Sequence, residues 1–200
     1  MLALDIGNVL CDIDLRPFVN KMVAFTGLDN NQIIDWICSI QSGHDIGHNN
    51  IHREFKSKFY LEPYQIESVM WSWQEVLKPN LYSIERVKNL ITTNGIDVAL
   101  LSNMGTEHRS TIDQHLSEIF YFCKHHISCD IGARKPQKIY FQSFLMENPS
   151  FSGSVYVDDR QENLEAGERA GFRTVHLDTS QHDRSTLKQK WDHIESMILT

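Results

Sequence analysis

The sequence predicts an α/β fold: a parallel sheet with helices on both faces, and a run of short helices inserted after the first strand. Three observations lead there. Leu2-Ala3-Leu4 runs straight into Asp5-Ile6-Gly7-Asn8, the pattern of a short buried strand that stops in a tight turn. Beyond Leu77, stretches of helical apolar spacing alternate with continuous apolar runs such as Val98-Ala99-Leu100-Leu101, and such runs mark strands buried on both faces. Between the two regions, Leu15 to Leu77 carries helical spacing and no strand pattern.

In that inserted stretch four amphipathic helices follow one another. Their apolar faces are Phe18, Met22 and Phe25; Ile33, Ile34 and Ile37; Phe55 and Phe59; and Ile66, Val69, Met70, Trp73, Val76 and Leu77. Pro17 suits a first turn, Gly27 a helix end and Glu62-Pro63 another start. Trp36, Trp71 and Trp73 are assigned to the core of this bundle and its seam with the rest. The next helix runs from Asn80 to Asn94 and closes at Gly95; Asp97 to Leu101 is a strand ending in Ser102-Asn103. A helix over Thr111 to Leu116 precedes a strand near His126 to Ser128, where His125 and His126 read as structural. Gly132-Ala133-Arg134-Lys135-Pro136 opens a helix to about Met146, and Ser154 to Val157 is a strand stopping at Asp158-Asp159. A helix to Ala170 ends at Gly171, and Arg173 to Leu177 is the last strand. The tail, with Leu187, Trp191, Ile194 and Ile198, is an amphipathic helix covering one sheet face.

Composition narrows the function. With 200 residues, 41% hydrophobic and 22% charged, the chain has the make-up of a globular protein with one core and a modest insertion. A net charge of −7, with no basic run longer than Arg134-Lys135, leaves no electrostatic footprint for nucleic acid or an anionic membrane surface. No basic leader precedes Asp5 and no apolar run approaches the ~20 residues of a membrane span, so a cytoplasmic protein is expected. Cys11, Cys38, Cys123 and Cys129 are scattered and read as free thiols. The expected partner is a small molecule, and the expected assembly a monomer or weak homodimer.

Parallel strands all point one way, which brings Asp5, Ser102-Asn103 and Asp158-Asp159 to one edge of one sheet, where α/β proteins bind ligands. Carboxylates gathered there repel one another unless a cation sits between them, and hard oxygen ligands at that density suit Mg²⁺. The Ser102 hydroxyl, nearby backbone N–H groups and Lys135 at a loop-to-helix junction suit the oxygens of a phosphate. Metal, phosphate cradle and carboxylate together make a phosphoryl-transfer site in which the carboxylate attacks phosphorus.

Four segments, Asp5-Ile6-Gly7-Asn8-Val9-Leu10, Leu101-Ser102-Asn103, Gly132-Ala133-Arg134-Lys135-Pro136 and Tyr156-Val157-Asp158-Asp159, resemble in order the four motifs of the haloacid dehalogenase-like (HAD) hydrolase superfamily. The first and third look like the branch containing bacterial sugar-phosphate phosphatases such as α-glucose-1-phosphate phosphatase. The resemblance covers essentially the whole chain. It implies a Rossmann-like catalytic core at 1–14 and 78–200, a small helical cap domain at 15–77, and a Mg²⁺-dependent phosphatase acting on a small phosphorylated metabolite, sugar phosphates first. It further implies that Asp5 is the nucleophile and a Mg²⁺ ligand, and that Gly7 offers its backbone carbonyl to the metal. Ser102 and Asn103 would hold the phosphoryl group, and Lys135 would bridge nucleophile and phosphate. Asp158 is the favoured remaining metal ligand, with Asp159 as second choice.

One position departs from the pattern. Most phosphatases of that superfamily carry a second Asp two residues after the nucleophile, which protonates the leaving group and then activates water; here the residue is Gly7. General acid–base catalysis contributes typically about 10²–10⁴-fold. Three readings stay open: a leaving group good enough to go unprotonated, another residue as acid/base (Asp12, Asp14, His44 or His48), or slow turnover. A 2-haloacid dehalogenase and a non-catalytic phosphometabolite-binding protein are the rival functions. The stretch Ser42 to His52, with three histidines and two glycines, reads as a cap loop facing the site, with His44 and His48 as contacts for the substrate beyond its phosphate.

Overall fold

Leu2–Leu4 (β1) has no solvent exposure and lies at the middle of the sheet. In the computed structural model, which describes residues 1–199, β1 pairs in parallel with Val98–Ser102 (β4) on one side and Val155–Asp158 (β6) on the other. Cys123–Ile127 (β5) and Arg173–His176 (β7) complete a five-stranded parallel sheet in the order β5-β4-β1-β6-β7. The chain therefore winds outward from β1 in both directions, and the crevice at this switch point opens over the carboxyl ends of β1, β4 and β6.

Alternation along β1 divides the core. Leu2 and Leu4 join a cluster with Val87, Leu90, Trp191 and Ile194 of Leu81–Thr92 (α5) and Arg184–Leu199 (α11). Ala3 turns to the opposite face, among Tyr140, Phe141 and Phe144 of Lys138–Glu147 (α9) and Leu164 and Ala166 of Gln161–Ala170 (α10). Side chains of successive strand residues point to opposite faces, so a strand covered on both sides must be apolar throughout.

Four helices, Arg16–Thr26 (α1), Asn30–Asp45 (α2), Ile51–Lys58 (α3) and Pro63–Gln74 (α4), follow the first strand. Gly27 ends α1 in the left-handed region, its N–H returning to Val23 O. Asp29 and Gln32 form a capping box on α2, and Asn50 caps α3. Phe18 anchors the bundle, its ring centroid 4.9 Å from Trp73 and 6.1 Å from Phe55. Trp71, expected in this core or its seam, is instead 64% exposed with Lys21 over its ring. Two positions along a helix of 3.6 residues per turn are about 200° apart around its axis, so Trp71 and Trp73 cannot share a face.

Other details differ from expectation. Cys11–Ile13 (β2) and Leu77–Pro79 (β3) pair antiparallel, tying together the two chain segments that enter and leave the four helices; three-residue strands are too short for periodicity to reveal. Helix α2 continues through His44 and Asp45, and His52 belongs to α3, which leaves a loop of only 46–50. Gly43 sits inside α2, where the Asn49 amide takes the space of a Cβ, 2.7 Å from where one would stand. Strand β5 starts three residues earlier than the sequence predicts and ends one earlier, and the third motif is a loop after Ser128–Ile131 (α8), with α9 starting only at Lys138. The helical stretch before β5 is two short turns, Thr106–Arg109 (α6) and Ile112–His115 (α7). All four cysteines are unpaired, and no described helix is long and apolar enough to cross a membrane.

Candidate active site

Asp5 leaves β1 at the switch point, where its N–H completes the ladder to Val157 O. Its two oxygens have different surroundings. Oδ1 accepts from Ile6 N–H at 2.7 Å and faces Lys135 Nζ at 3.0 Å, whereas no donor among the described residues serves Oδ2. Lys135, 1% exposed, also donates to Leu101 O at 2.8 Å and to Asp158 Oδ2 at 2.6 Å, so all three ammonium protons are used. Asn103 holds this lysine in place. Its Nδ2 donates to Lys135 O at 2.9 Å and its Oδ1 accepts from Lys135 N–H at 2.8 Å, which commits the Asn103 side chain to the Lys135 loop rather than to a phosphate.

The adjacent acids at the end of β6 are not equivalent. Asp158 has no exposure; its Oδ2 accepts from Lys135 and the Tyr156 hydroxyl, and its Oδ1 from Arg160 N–H and Asn163 Nδ2, both at 2.9 Å. Four donors saturate it. Asp159 accepts one hydrogen bond, from Asn8 Nδ2 to Oδ2 at 2.9 Å, and its Oδ1 has no donor among the described residues. Asn8 sits at φ 51°, a left-handed conformation that Asn tolerates better than most residues, and its carbonyl receives Thr179 N–H at 2.7 Å. One oxygen each of Asp5, Asp158 and Asp159 lies within 4.8 Å of the others.

Charge crowding shows in the ionisation of these groups. Burial pushes Asp5 up to about 7, Lys135 opposing the rise and Asp158 and Asp159 adding to it. Burial also raises Asp159. Burial alone would raise Asp158 too, but the Lys135 ammonium and the hydrogen bonds it receives outweigh that and keep its carboxyl below the ordinary value. Two carboxylates thus share one ammonium with a third, Asp159, beside them, a set that a hard divalent cation would neutralise.

Ser102 ends β4, 3% exposed, its hydroxyl without a hydrogen-bond partner among the described residues. Ser102 and Asn103 border a cavity of about 270 Å³, together with Gly7, the Met104-Gly105 turn, α2 and Trp73 of α4. His44 stands in its wall: Nε2 lies 2.9 Å from Glu107 Oε2, and the ring lies against Gly105, where a Cβ would meet it at 2.1 Å. Only glycine allows that approach. Asp45, beside it, faces Arg134 Nη2 at 3.1 Å. His48 is exposed and outside the cavity, so the two histidines expected to act together are separated; the helical turn that buries His44 carries His48 past the wall. Asp12 is engaged by Asn80 and Thr179, and Asp14 by Arg16; neither borders the cavity.

Asn8, Tyr156, Asn163, Asp45 and Glu107 complete the site, and sequence reasoning does not single them out for it. Asn8 carries a signal, an Asn in a strand-ending turn; Glu107 meets His44 across 63 residues, for which sequence offers none.

No protein-family model matches the chain. Solved structures do. The wild-type HAD-family enzyme BT-2542 of Bacteroides thetaiotaomicron, in complex with magnesium and inorganic phosphate, superimposes with a TM-score of 0.74 at 18% identity, over 93% of this chain and 97% of that one. The chain has the HAD fold. A HAD-like family hydrolase of Porphyromonas gingivalis matches with a TM-score of 0.71 at 17% identity, over 94% of this chain and 95% of its own. An L-2-haloacid dehalogenase matches with a TM-score of 0.62 at 14% identity, over 90% and 85% of the two chains. Both phosphate-bound and dehalogenase members of the HAD fold are thus similar to this protein.

Proposed function

We propose that this protein is a Mg²⁺-dependent phosphatase of small phosphorylated metabolites, working through an aspartyl-phosphate on Asp5. The observation that carries this reading is the charge balance: oxygens of Asp5, Asp158 and Asp159 lie within 4.8 Å of one another, and one ammonium pairs with the first two. A dehalogenase working without metal would have to keep its nucleophile ionised beside two further carboxylates, and its substrate would bring a fourth. The magnesium and phosphate bound to BT-2542 support the same choice.

In this reading Asp5, Asp159 and the Gly7 carbonyl would hold the metal, while Asp158, saturated by four donors, fixes Lys135. That order of the two acids reverses the one expected from the sequence. Mg²⁺ bound there would neutralise the carboxylates and the phosphoryl oxygens. Asp5 attacks phosphorus, Lys135 offsets the charge carried by Asp5, and the Ser102 hydroxyl donates to a phosphoryl oxygen. Residues 15–77 act as the cap and 1–14 with 78–200 as the core; the His44–Glu107 contact and the Asp45–Arg134 ion pair join them and exclude water from the acyl phosphate. A panel of phosphorylated metabolites assayed with and without Mg²⁺, wild type against Asp5→Asn, tests the reading. Phosphate release is expected only with Mg²⁺ and Asp5; full activity of Asp5→Asn would end the covalent mechanism.

A further inference from the structure

The cavity bordered by Gly7, Ser102 and Asn103 has walls of an unexpected kind. Ile13, Ile37, Ile40, Trp73, Leu77 and Met104 make them largely apolar. Of the polar side chains there, His44 is paired with Glu107, His108 with Trp73 O at 2.7 Å and Asp45 with Arg134, while the Ser102 hydroxyl and Trp73 Nε1 have no hydrogen-bond partner among the described residues. A sugar phosphate, the class implied by the motif resemblance, would strand several hydroxyls against isoleucines, each at a desolvation cost. Ile13 and Ile34, both bordering the cavity, are each 43% exposed and leave an apolar rim at its mouth. A dry cavity of about 150 Å³ takes up benzene, so about 270 Å³ accommodates a substituted or fused ring.

Position 7 leads to the same place from the chemical side. A Cβ on Gly7 would come 2.9 Å from Ile13 Cδ1, so the place of an acid/base side chain is occupied by an apolar one. Asp12 and Asp14 are engaged elsewhere, and Asp45, the carboxyl in the cavity wall, is tied to Arg134. Burial pushes His108 down to about 4, leaving it neutral. The wall beside Gly7 is therefore largely hydrocarbon, and its one carboxyl among the described residues, Asp45, is held in an ion pair with Arg134.

We propose that the substrate is a phosphate monoester of an apolar, ring-sized alcohol of low pKa, an aryl phosphate, because Ile13 both fills the acid/base position and lines an apolar leaving-group cavity. This rests on the phosphatase reading of the same site. A carboxylate oxygen of Asp5 forms a bond to phosphorus as the phosphorus–oxygen bond to the ring breaks, and the electron pair leaves on the phenolate. Water then attacks the phosphorus of the aspartyl-phosphate, releasing the Asp5 carboxylate and inorganic phosphate, and the phenolate takes up the proton that water gives to solvent. Ester and water become phenol and phosphate, with no oxidant or reductant.

Steady-state kcat/KM with Mg²⁺ for 1-naphthyl phosphate, phenyl phosphate, acetyl phosphate, α-glucose 1-phosphate and glucose 6-phosphate tests this. Naphthyl phosphate is expected to exceed both hexose phosphates by at least about 100-fold, since one methylene-sized group in an apolar pocket already changes selectivity by about 10–200-fold. In Ile13→Thr the ratio of naphthyl to acetyl phosphate is expected to fall about tenfold. Hexose phosphates equal to or better than naphthyl phosphate, or an unchanged ratio in Ile13→Thr, would overturn the inference and leave the phosphatase reading standing. Turnover of none of the five, acetyl phosphate included, would overturn both.

Discussion

Replacing Asp158 and Asp159 separately should split stability from metal binding. Asp158 accepts four hydrogen bonds and balances a lysine that is 1% exposed. Asp158→Asn keeps the shape but removes the charge, and breaking a buried pair costs about 3–5 kcal/mol. At about 2–4 °C per kcal/mol for a chain of this size, Tm should fall by roughly 6–20 °C. Asp159→Asn puts at risk one hydrogen bond, from Asn8, worth about 0.5–1.5 kcal/mol, and relieves repulsion from its neighbours. Its Tm should move by less than about 6 °C. Magnesium reverses the order. A ligand at a hundredfold excess over its Kd adds about 2.7 kcal/mol, so Mg²⁺ should raise the Tm of wild type and Asp158→Asn by roughly 5–11 °C and leave that of Asp159→Asn unmoved. Differential scanning fluorimetry over a Mg²⁺ series reads both effects. A stable Asp158→Asn that no longer responds to Mg²⁺, beside an Asp159→Asn that still does, would refute the division of labour.

Gly7→Asp restores the acid/base position at the expense of shifting only the end of Ile13; kcat/KM on alkyl phosphates should rise by about 10²–10⁴-fold and on aryl phosphates far less, and equal effects on both would argue against an unprotonated leaving group. His108, buried and pushed down to about 4, binds a proton more readily in the unfolded chain, where its pKa is about 6.5. Its contribution is therefore intact near neutral pH and is lost as pH falls from about 6.5 toward about 4. Urea melts should show wild type losing about 2 kcal/mol more than His108→Gln between pH 7 and pH 5; parallel losses would contradict this.

The sheet is legible because β1, β4 and β6 are buried on both faces, which forces unbroken apolar runs, and each run ends in a residue that cannot be buried without a partner. Asp5, Ser102 and Asp158-Asp159 can therefore be placed at one edge from sequence. Which of two adjacent acids pairs with Lys135 is not legible, because it depends on donors from Tyr156, Arg160 and Asn163 that only the folded β6–α10 turn assembles. The same holds for His44: Ser42 to His52 reads as one loop holding both His44 and His48, but α2 continues through His44 and Asp45. The β2–β3 ribbon, which carries Ile13 to Gly7, leaves no sequence signal because three residues hold no period. The chemistry of the catalytic edge is written locally, and that of the leaving-group cavity only in tertiary contacts.

The central claim is that phosphorus becomes bonded to Asp5. Enzyme mixed with an aryl phosphate and Mg²⁺, quenched in acid within milliseconds and digested, should yield the peptide containing Asp5 one phosphoryl group heavier. With no acid/base at Gly7 to activate water, phenol should appear in a burst approaching one per enzyme before steady turnover. An unmodified Asp5 peptide at full burst, or label on any other residue, would contradict the account.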